Sequence, residues 1–215
     1  MAKLILSTYW RSSCSVRVRI ALGYKGLAYE PVYVNILEGA QFTAEYKVLN
    51  PISHVPALSI DGVYYTESIA IMELLEELHP DPPLLPRKPE DRARVRALAE
   101  TINSGVQPLQ NTSVLNYLGD DKEKRSAWLK HWLPRGLAAF EAQMATAEKG
   151  GVKGPFAFGP TLTIADCCLV PQLYAARRFG VDLTAFPRIV RADAAARELP
   201  FVAAAMPDVQ PDAKP

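Results

Sequence analysis

Apolar positions in the first eighty residues switch between two spacings. Leu4-Ile5-Leu6 is an apolar run of strand length, closed by a polar turn carrying Ser12, Ser13 and Ser15. Beyond it Cys14, Val18, Ala21 and Leu22 fall on one stripe of a helix, with Arg17 and Lys25 off the stripe and able to reach solvent, and Gly26 as the stop. Tyr29 to Val34, rich in Tyr and Val, has strand propensity, so the opening predicts a βαβ unit whose first two strands run parallel. The polar stretch Glu38 to Lys47 predicts a short helix or irregular turn, broken at Asn50-Pro51. Ser53 to Thr66 then reads as a hairpin, two alternating segments joined at Asp61-Gly62. Pro56 stands at the first position of that hairpin, where proline costs no ladder bond. A cis Val55-Pro56 bond would turn the Val55 N–H and C=O outward, toward a ligand. Thr66-Glu67-Ser68 precedes Ile69, Ile71, Met72, Leu74, Leu75 and Leu78, a helical pattern that ends before His79-Pro80.

Five prolines between Pro80 and Pro89 mark a stiff connector and the domain boundary. The expected division is residues 1–80, a connector over 81–90, and an all-helical domain over 91–215. Arg92 to Leu118 predicts one long helix with Val95, Leu98, Ala99 and Ile102 on one face, kinked by Gly105 and Pro108. Lys122 to Ala147 predicts another, interrupted at Pro134 and Gly136. Thr163 followed by Asp166 has the form of a capping box ahead of an apolar helix reaching Arg178. Pro187 to Ala205 predicts one or two short helices, and the Pro/Asp-rich end from Pro207 is expected to fray.

Composition narrows the function. With 24 basic and 23 acidic residues the net charge is +1, which excludes nucleic-acid or membrane-surface binding driven by bulk charge. No apolar run approaches the roughly 18 residues of a membrane span, and Met1-Ala2-Lys3 opens no signal-peptide pattern, so a soluble cytoplasmic protein is expected. The 3 cysteines and 3 histidines lack metal-ligand spacing, so neither a metal site nor a disulfide framework is expected.

Candidate chemistry sits at two helix starts. The first amides of a helix have no internal partner and carry the positive end of its dipole, so Ser12, Ser13, Cys14 and Ser15 stand where an anion such as a thiolate is stabilised. The plainer alternative is that a serine caps the helix and Cys14 is a small core residue. Glu67-Ser68 opens the other helix; an acid there either complements the dipole or receives a ligand ammonium.

A thioredoxin-like α/β domain joined through prolines to a helical domain is the plan of the cytosolic glutathione transferases. Ser12-Ser13-Cys14-Ser15, followed by Val16-Arg17-Val18-Arg19-Ile20-Ala21-Leu22, resembles the Ser-Ser-Cys signature of their zeta class. Asn50-Pro51, Val55-Pro56, Glu67-Ser68-Ile69, Gln107-Pro108-Leu109-Gln110-Asn111, Asp166 to Gln172 and Arg178-Phe179 extend the likeness over nearly the whole chain. Two positions depart from it: Val16 stands where members usually carry an aromatic or His, and Glu67 where Gln is frequent.

The resemblance implies a glutathione site with Ser12, Ser13 and Cys14 around the thiol and Gln41 near the glycyl end. Val55 would bind through its main chain, Glu67 and Ser68 would take the γ-glutamyl group, and Gln107, Asn111 and Ser113 would line the site from the helical domain. It also implies a homodimer that binds neither nucleic acid nor membrane. The activity implied is cis–trans isomerisation of maleylacetoacetate to fumarylacetoacetate, a step of tyrosine and phenylalanine catabolism, by reversible thiolate addition, with Arg11 and Arg178 as partners for substrate carboxylates. Maleylpyruvate isomerisation and zeta-like transferase or dehalogenase chemistry are alternatives within the same fold. A different chemistry stays open at Cys14, whose thiol could itself be the nucleophile of a glutathione-dependent thiol-disulfide oxidoreductase. A non-enzymatic binding module is the third class.

Overall fold

Leu4–Thr8 (β1), Glu30–Tyr33 (β2), Ala57–Ile60 (β3) and Val63–Thr66 (β4) form one sheet of order β2-β1-β3-β4 in the computed structural model, which describes residues 2–214. β1 and β2 are parallel, with Ile5 opposite Glu30, as a βαβ crossover requires. β3 runs antiparallel to both β1 and β4, placing Leu6 opposite Leu58 in the buried centre. Asp61 and Gly62 both have positive φ, 49° and 89°, the turn geometry whose twist matches a two-residue hairpin.

Ser13–Tyr24 is α1; Gly26, at φ 65°, follows its end. The stretch from Glu38 contains a 3-10 turn, Ala40–Phe42, and a short α2, Ala44–Leu49. Ser68–Leu78 is α3. Two expectations for α1 fail. Arg17 and Lys25 are buried rather than solvated, because α1 packs against α3 and also against the late helix α9, Pro200–Ala205, leaving no open face. Burial of each cation is met by polar partners: Arg17 donates to Ser68 Oγ at 3.0 Å, and Lys25 Nζ donates to Glu76 at 2.8 Å and to the carbonyls of His79 and Pro82.

The remaining helices are α4 (Pro89–Asn103), α5 (Thr112–Tyr117), α6 (Lys122–Lys149), α7 (Ile164–Arg178) and α8 (Pro187–Arg197). The long helix expected over Arg92 to Leu118 is broken, not kinked. α4 stops at Ser104, Gln107–Gln110 forms a 3-10 turn around Pro108, and Asn111 caps a separate α5. α6 runs unbroken through Pro134, and Gly136 is there for close packing: a Cβ would overlap the buried Val106 side chain. α7 is the core of its unit, with all but three of its 15 residues buried and with α4 and α8 packed against it.

Contacts divide the chain into two compact units, Met1–Leu84 with Leu199–Pro215, and Leu85–Glu198. The division falls inside the proline connector, and the last seventeen residues join the first unit rather than the helical one. Nor does the tail fray from Pro207: it forms a 3-10 turn, Pro207–Val209, the Gln210 amide donates to the Ala204 and Met206 carbonyls, and Asp212 accepts from the Trp10 N–H. An α/β thioredoxin-like unit and an all-helical unit are the fold class expected. No helix among the described residues is long and apolar enough to cross a membrane.

Candidate functional site

Between β1 and α1 the chain makes one tight turn, closed by the Ser12 N–H donating to the Tyr9 carbonyl at 3.0 Å. Ser12 is extended (φ −66°, ψ 115°) and caps α1: its Oγ accepts from the Ser15 N–H at 3.2 Å, and its carbonyl accepts from the Val16 N–H at 2.9 Å. Capping therefore occupies a lone pair of the hydroxyl and leaves its hydrogen to donate elsewhere. Ser13 and Cys14 follow as the first two helical residues, whose N–H groups have no intrahelical acceptor. The hydroxyl and these amides meet at the positive end of a 12-residue helix, and all three side chains are half-buried, so the turn can hold an anion. Beside it the Arg11 guanidinium lies 4.8 Å from the centre of the Trp10 ring.

The start of α3 is built differently. Glu67 precedes it at φ 65°, a left-handed conformation that costs a side-chain-bearing residue on the order of 1–3 kcal/mol. Its carbonyl accepts the first intrahelical bond, from the Ile71 N–H, yet its carboxylate makes no capping bond and is exposed. The acid is thus presented rather than used by the helix. Ser68 beside it is buried and held by Arg17, one turn into α1, so a single side chain ties the two helix starts together.

Val55 lies between them in sequence. The Val55-Pro56 bond is cis, and among the described residues neither the N–H nor the C=O of Val55 enters a backbone hydrogen bond. The preceding His54 carbonyl is fixed by the Tyr46 hydroxyl at 2.7 Å and the Asn50 amide at 2.8 Å. Burial raises the Tyr46 pKa, so that phenol stays a donor. Tyr9, Trp10, Val34, Tyr46 and Val55 form one apolar cluster, which gives the Ser12 turn and Val55 a common floor. Gln41 is nearly buried in its 3-10 turn and donates to the Ile36 carbonyl at 3.3 Å, so part of its amide holds that turn.

Gln107, Asn111, Ser113 and Arg178 belong to the second unit. Asn111 caps α5, accepting from the Ser113 N–H at 3.5 Å, and Ser113 is exposed. Gln110, in the same turn as Gln107, makes a reciprocal pair of amide bonds, 3.1 and 2.9 Å, with Gln172 of α7. That buried pair fixes the turn against the helix that ends in Arg178. Arg177 pairs with Asp193 at 2.6 Å, whereas the exposed Arg178 guanidinium lies 4.4 Å from the centre of the Phe179 ring. α7 begins in the expected capping box, and complete burial of Asp166 pushes its carboxyl up to about 6 against the hydrogen bonds from Ala157 and Thr163.

Sequence periodicity missed Arg17, Tyr46 and Gln172 as supports, since each acts on a partner far from its own helical stripe. The one local signal was an arginine placed inside an apolar run.

Two family models match: the glutathione S-transferase N-terminal domain over residues 11–78 and the glutathione S-transferase C-terminal domain over residues 130–210. Probable maleylacetoacetate isomerase 2 of Drosophila melanogaster is 46% identical over 98% of this chain and 91% of its own length. A solved maleylacetoacetate isomerase from Anaeromyxobacter dehalogenans, with GSH bound in its active site, superposes with TM-score 0.88 at 47% identity, covering 99% of each chain. The holo structure of a bacterial maleylpyruvate isomerase, a glutathione S-transferase of the zeta class, superposes with TM-score 0.93 at 42% identity, over 98% of this chain and 100% of that one. The chain belongs to the glutathione S-transferase family, in its zeta class.

Proposed function

We propose that this protein is a glutathione-dependent cis–trans isomerase of maleylacetoacetate. The observation that carries the reading is the Ser12 turn, a capping hydroxyl with its hydrogen available above the first amides of α1. The residues fit glutathione at three separate points: this anion station, the unengaged main chain of Val55, and the outward carboxylate of Glu67 beside Ser68. Bound glutathione would supply the thiolate that adds reversibly to the cis double bond and leaves again after rotation, with no net redox change.

The residues' task is to favour that thiolate. A thiol with pKa near ~8.5 is only a few per cent ionised at neutral pH, and making it the main form requires roughly 2–3 kcal/mol. A hydrogen bond to a charged acceptor supplies about 1.5–3 kcal/mol and a helix N-terminus about 0.3–1, so Ser12 with the Ser13 and Cys14 amides suffices. Glu67 would receive the γ-glutamyl ammonium, Ser68 the carboxylate beside it, and Val55 the cysteinyl main chain. Gln41 is assigned the glycyl end, and Gln107, Asn111 and Ser113 the wall from the helical unit, on the family resemblance. Arg11 and Arg178 would neutralise the substrate carboxylates and the charge that develops on the enolate.

The named relatives support an isomerase of a cis-unsaturated keto acid, and maleylacetoacetate has the larger share of them over maleylpyruvate. The same family resemblance supports a cytoplasmic homodimer. The test is isomerisation of each acid with and without glutathione. Ser12→Ala should keep glutathione affinity while turnover falls about tenfold or more, and turnover near the wild-type value would remove Ser12 from the mechanism. Cys14→Ala should stay active; loss of activity together with a glutathione adduct on the wild-type thiol would favour the thiol-disulfide alternative.

A further inference from the structure

The end of the chain returns to the turn that presents Ser12. Asp212 Oδ2 accepts from the Trp10 N–H at 2.9 Å, 202 positions away in sequence, and Ala213 packs on the apolar cluster that contains Tyr9 and Trp10. Arg19, buried in α1, works on the same turn. It donates to Thr8 Oγ1 at 3.1 Å, to the Tyr9 carbonyl at 3.4 Å and to the Trp10 carbonyl at 2.8 Å, while its Nε reaches the Ala205 carbonyl in α9 at 3.0 Å. The peptide plane between Tyr9 and Trp10 is therefore gripped on both sides: its N–H by Asp212, its C=O by Ser12 and Arg19. The next C=O toward Ser12 is gripped as well.

Burial lowers the Arg19 pKa to about 10, and Asp212 is one of the groups that offsets the fall, so the guanidinium stays charged at neutral pH. A strap that only stabilised the sheet could bind any backbone amide. This one binds the amide two residues before Ser12.

We propose that Asp212 is a positioning residue, holding the Trp10 amide so that the turn presents the Ser12 hydroxyl and the first amides of α1 to the glutathione sulfur. The inference rests on the role given to Ser12 above. Misplacement of a catalytic group by about 1 Å costs up to roughly a hundredfold in rate, so a turn released on one side should lose turnover while glutathione, held mainly elsewhere, still binds.

The experiment uses the full-length enzyme with Asp212→Ala, Asp212→Asn and, as control, Lys214→Ala, which removes only an exposed 3.6 Å ion pair with Glu38. Asp212→Ala should lower kcat about tenfold or more, leave KM for glutathione within roughly twofold, reduce the ultraviolet thiolate absorbance of the bound peptide, and speed hydrogen exchange at the Trp10 amide. Asp212→Asn keeps an acceptor and should recover most of kcat, and Lys214→Ala should match the wild type. Asp212→Ser, too short to reach the amide, takes the place of the alanine variant if that one does not fold. Wild-type kcat and thiolate absorbance in Asp212→Ala, a loss that Asn does not restore, or a loss that only follows the fraction folded would each overturn the proposal. If Ser12→Ala is impaired and Asp212→Ala is not, the positioning role alone fails. A wild-type protein without glutathione-dependent turnover would sink the proposed function and this role together.

Discussion

Titrating Asp166 should move stability in the direction opposite to that of most carboxylates. One of its oxygens accepts from the Ala157 N–H at 2.7 Å, the other from the Thr163 N–H at 2.9 Å and the Thr163 hydroxyl at 3.0 Å. These donors favour the ionised form, but complete burial outweighs them and raises the pKa from 3.8 to about 6. In the unfolded chain the group titrates near its ordinary value. Between the two values the folded protein binds more protons, so the stabilisation is full below about pH 4 and is lost as pH rises through about 6. The size of that loss follows from the two pKa values and is roughly 3 kcal/mol. Denaturant unfolding of the wild type and of Asp166→Asn between about pH 4 and pH 7, followed by tryptophan fluorescence from Trp128 and Trp132 in the same unit, isolates the contribution. Asn keeps one acceptor and cannot titrate, so the wild type should have its largest advantage at the acid end and lose it toward neutrality. Parallel stability curves for the two proteins would refute the reasoning.

Two further outcomes test the packing of each unit. Lys25→Met removes the cation that faces the buried Glu76 carboxylate, and a urea midpoint should report a loss of about 3–5 kcal/mol, part of it regained in Lys25→Met/Glu76→Gln, whose neutral amide oxygen can still accept from the Leu84 N–H; a single variant as stable as the wild type would count against the pair. Gly136→Ala sets a methyl group against the Val106 side chain and should cost about 1–3 kcal/mol despite the better helix propensity of alanine; adding Val106→Ala should relieve it, and a thermal double-mutant cycle without coupling would show that the contact is not the cause.

Local signals in the sequence located most elements, because each has a short-range cause. Asp61-Gly62 supplies the two positive φ values of a hairpin turn, Thr163 and Asp166 close a capping box three residues apart, and Ser12 caps the helix it precedes. The failures share a physical origin as well. Arg17 and Lys25 fall off the apolar stripe of α1, a placement that predicts solvent exposure, yet each meets its partner 51 positions later, in α3. The prolines and aspartates of the tail predict fraying, whereas Asp212 is held by an amide 202 positions earlier. Periodicity reports which face of an element is apolar, and says nothing of a buried charge whose partner comes from another element. The proline rule erred in both directions. Pro108 stands in the 3-10 turn that separates two helices where a kink was expected, while Pro134, expected to interrupt its helix, sits inside a continuous one.

This division between local and distant causes bears on how the site works. The groups that would touch glutathione, Ser12 and Glu67-Ser68, are legible because they open helices. What fixes them relative to each other is not: Arg17 joins the two helix starts, while Arg19 and Asp212 grip the turn before Ser12. All three supports are charged groups set among apolar neighbours, where a hydrogen bond to an ionised partner contributes about 1.5–3 kcal/mol, roughly twice a neutral one. The placing of three such groups on one turn and one helix start is hard to account for by stability alone, since apolar residues fill such space at lower desolvation cost. A fixed geometry is what they add, and the Ser12 hydroxyl, which in the proposed mechanism would meet a sulfur anion to within a fraction of an ångström, is the feature of this unit that would use it.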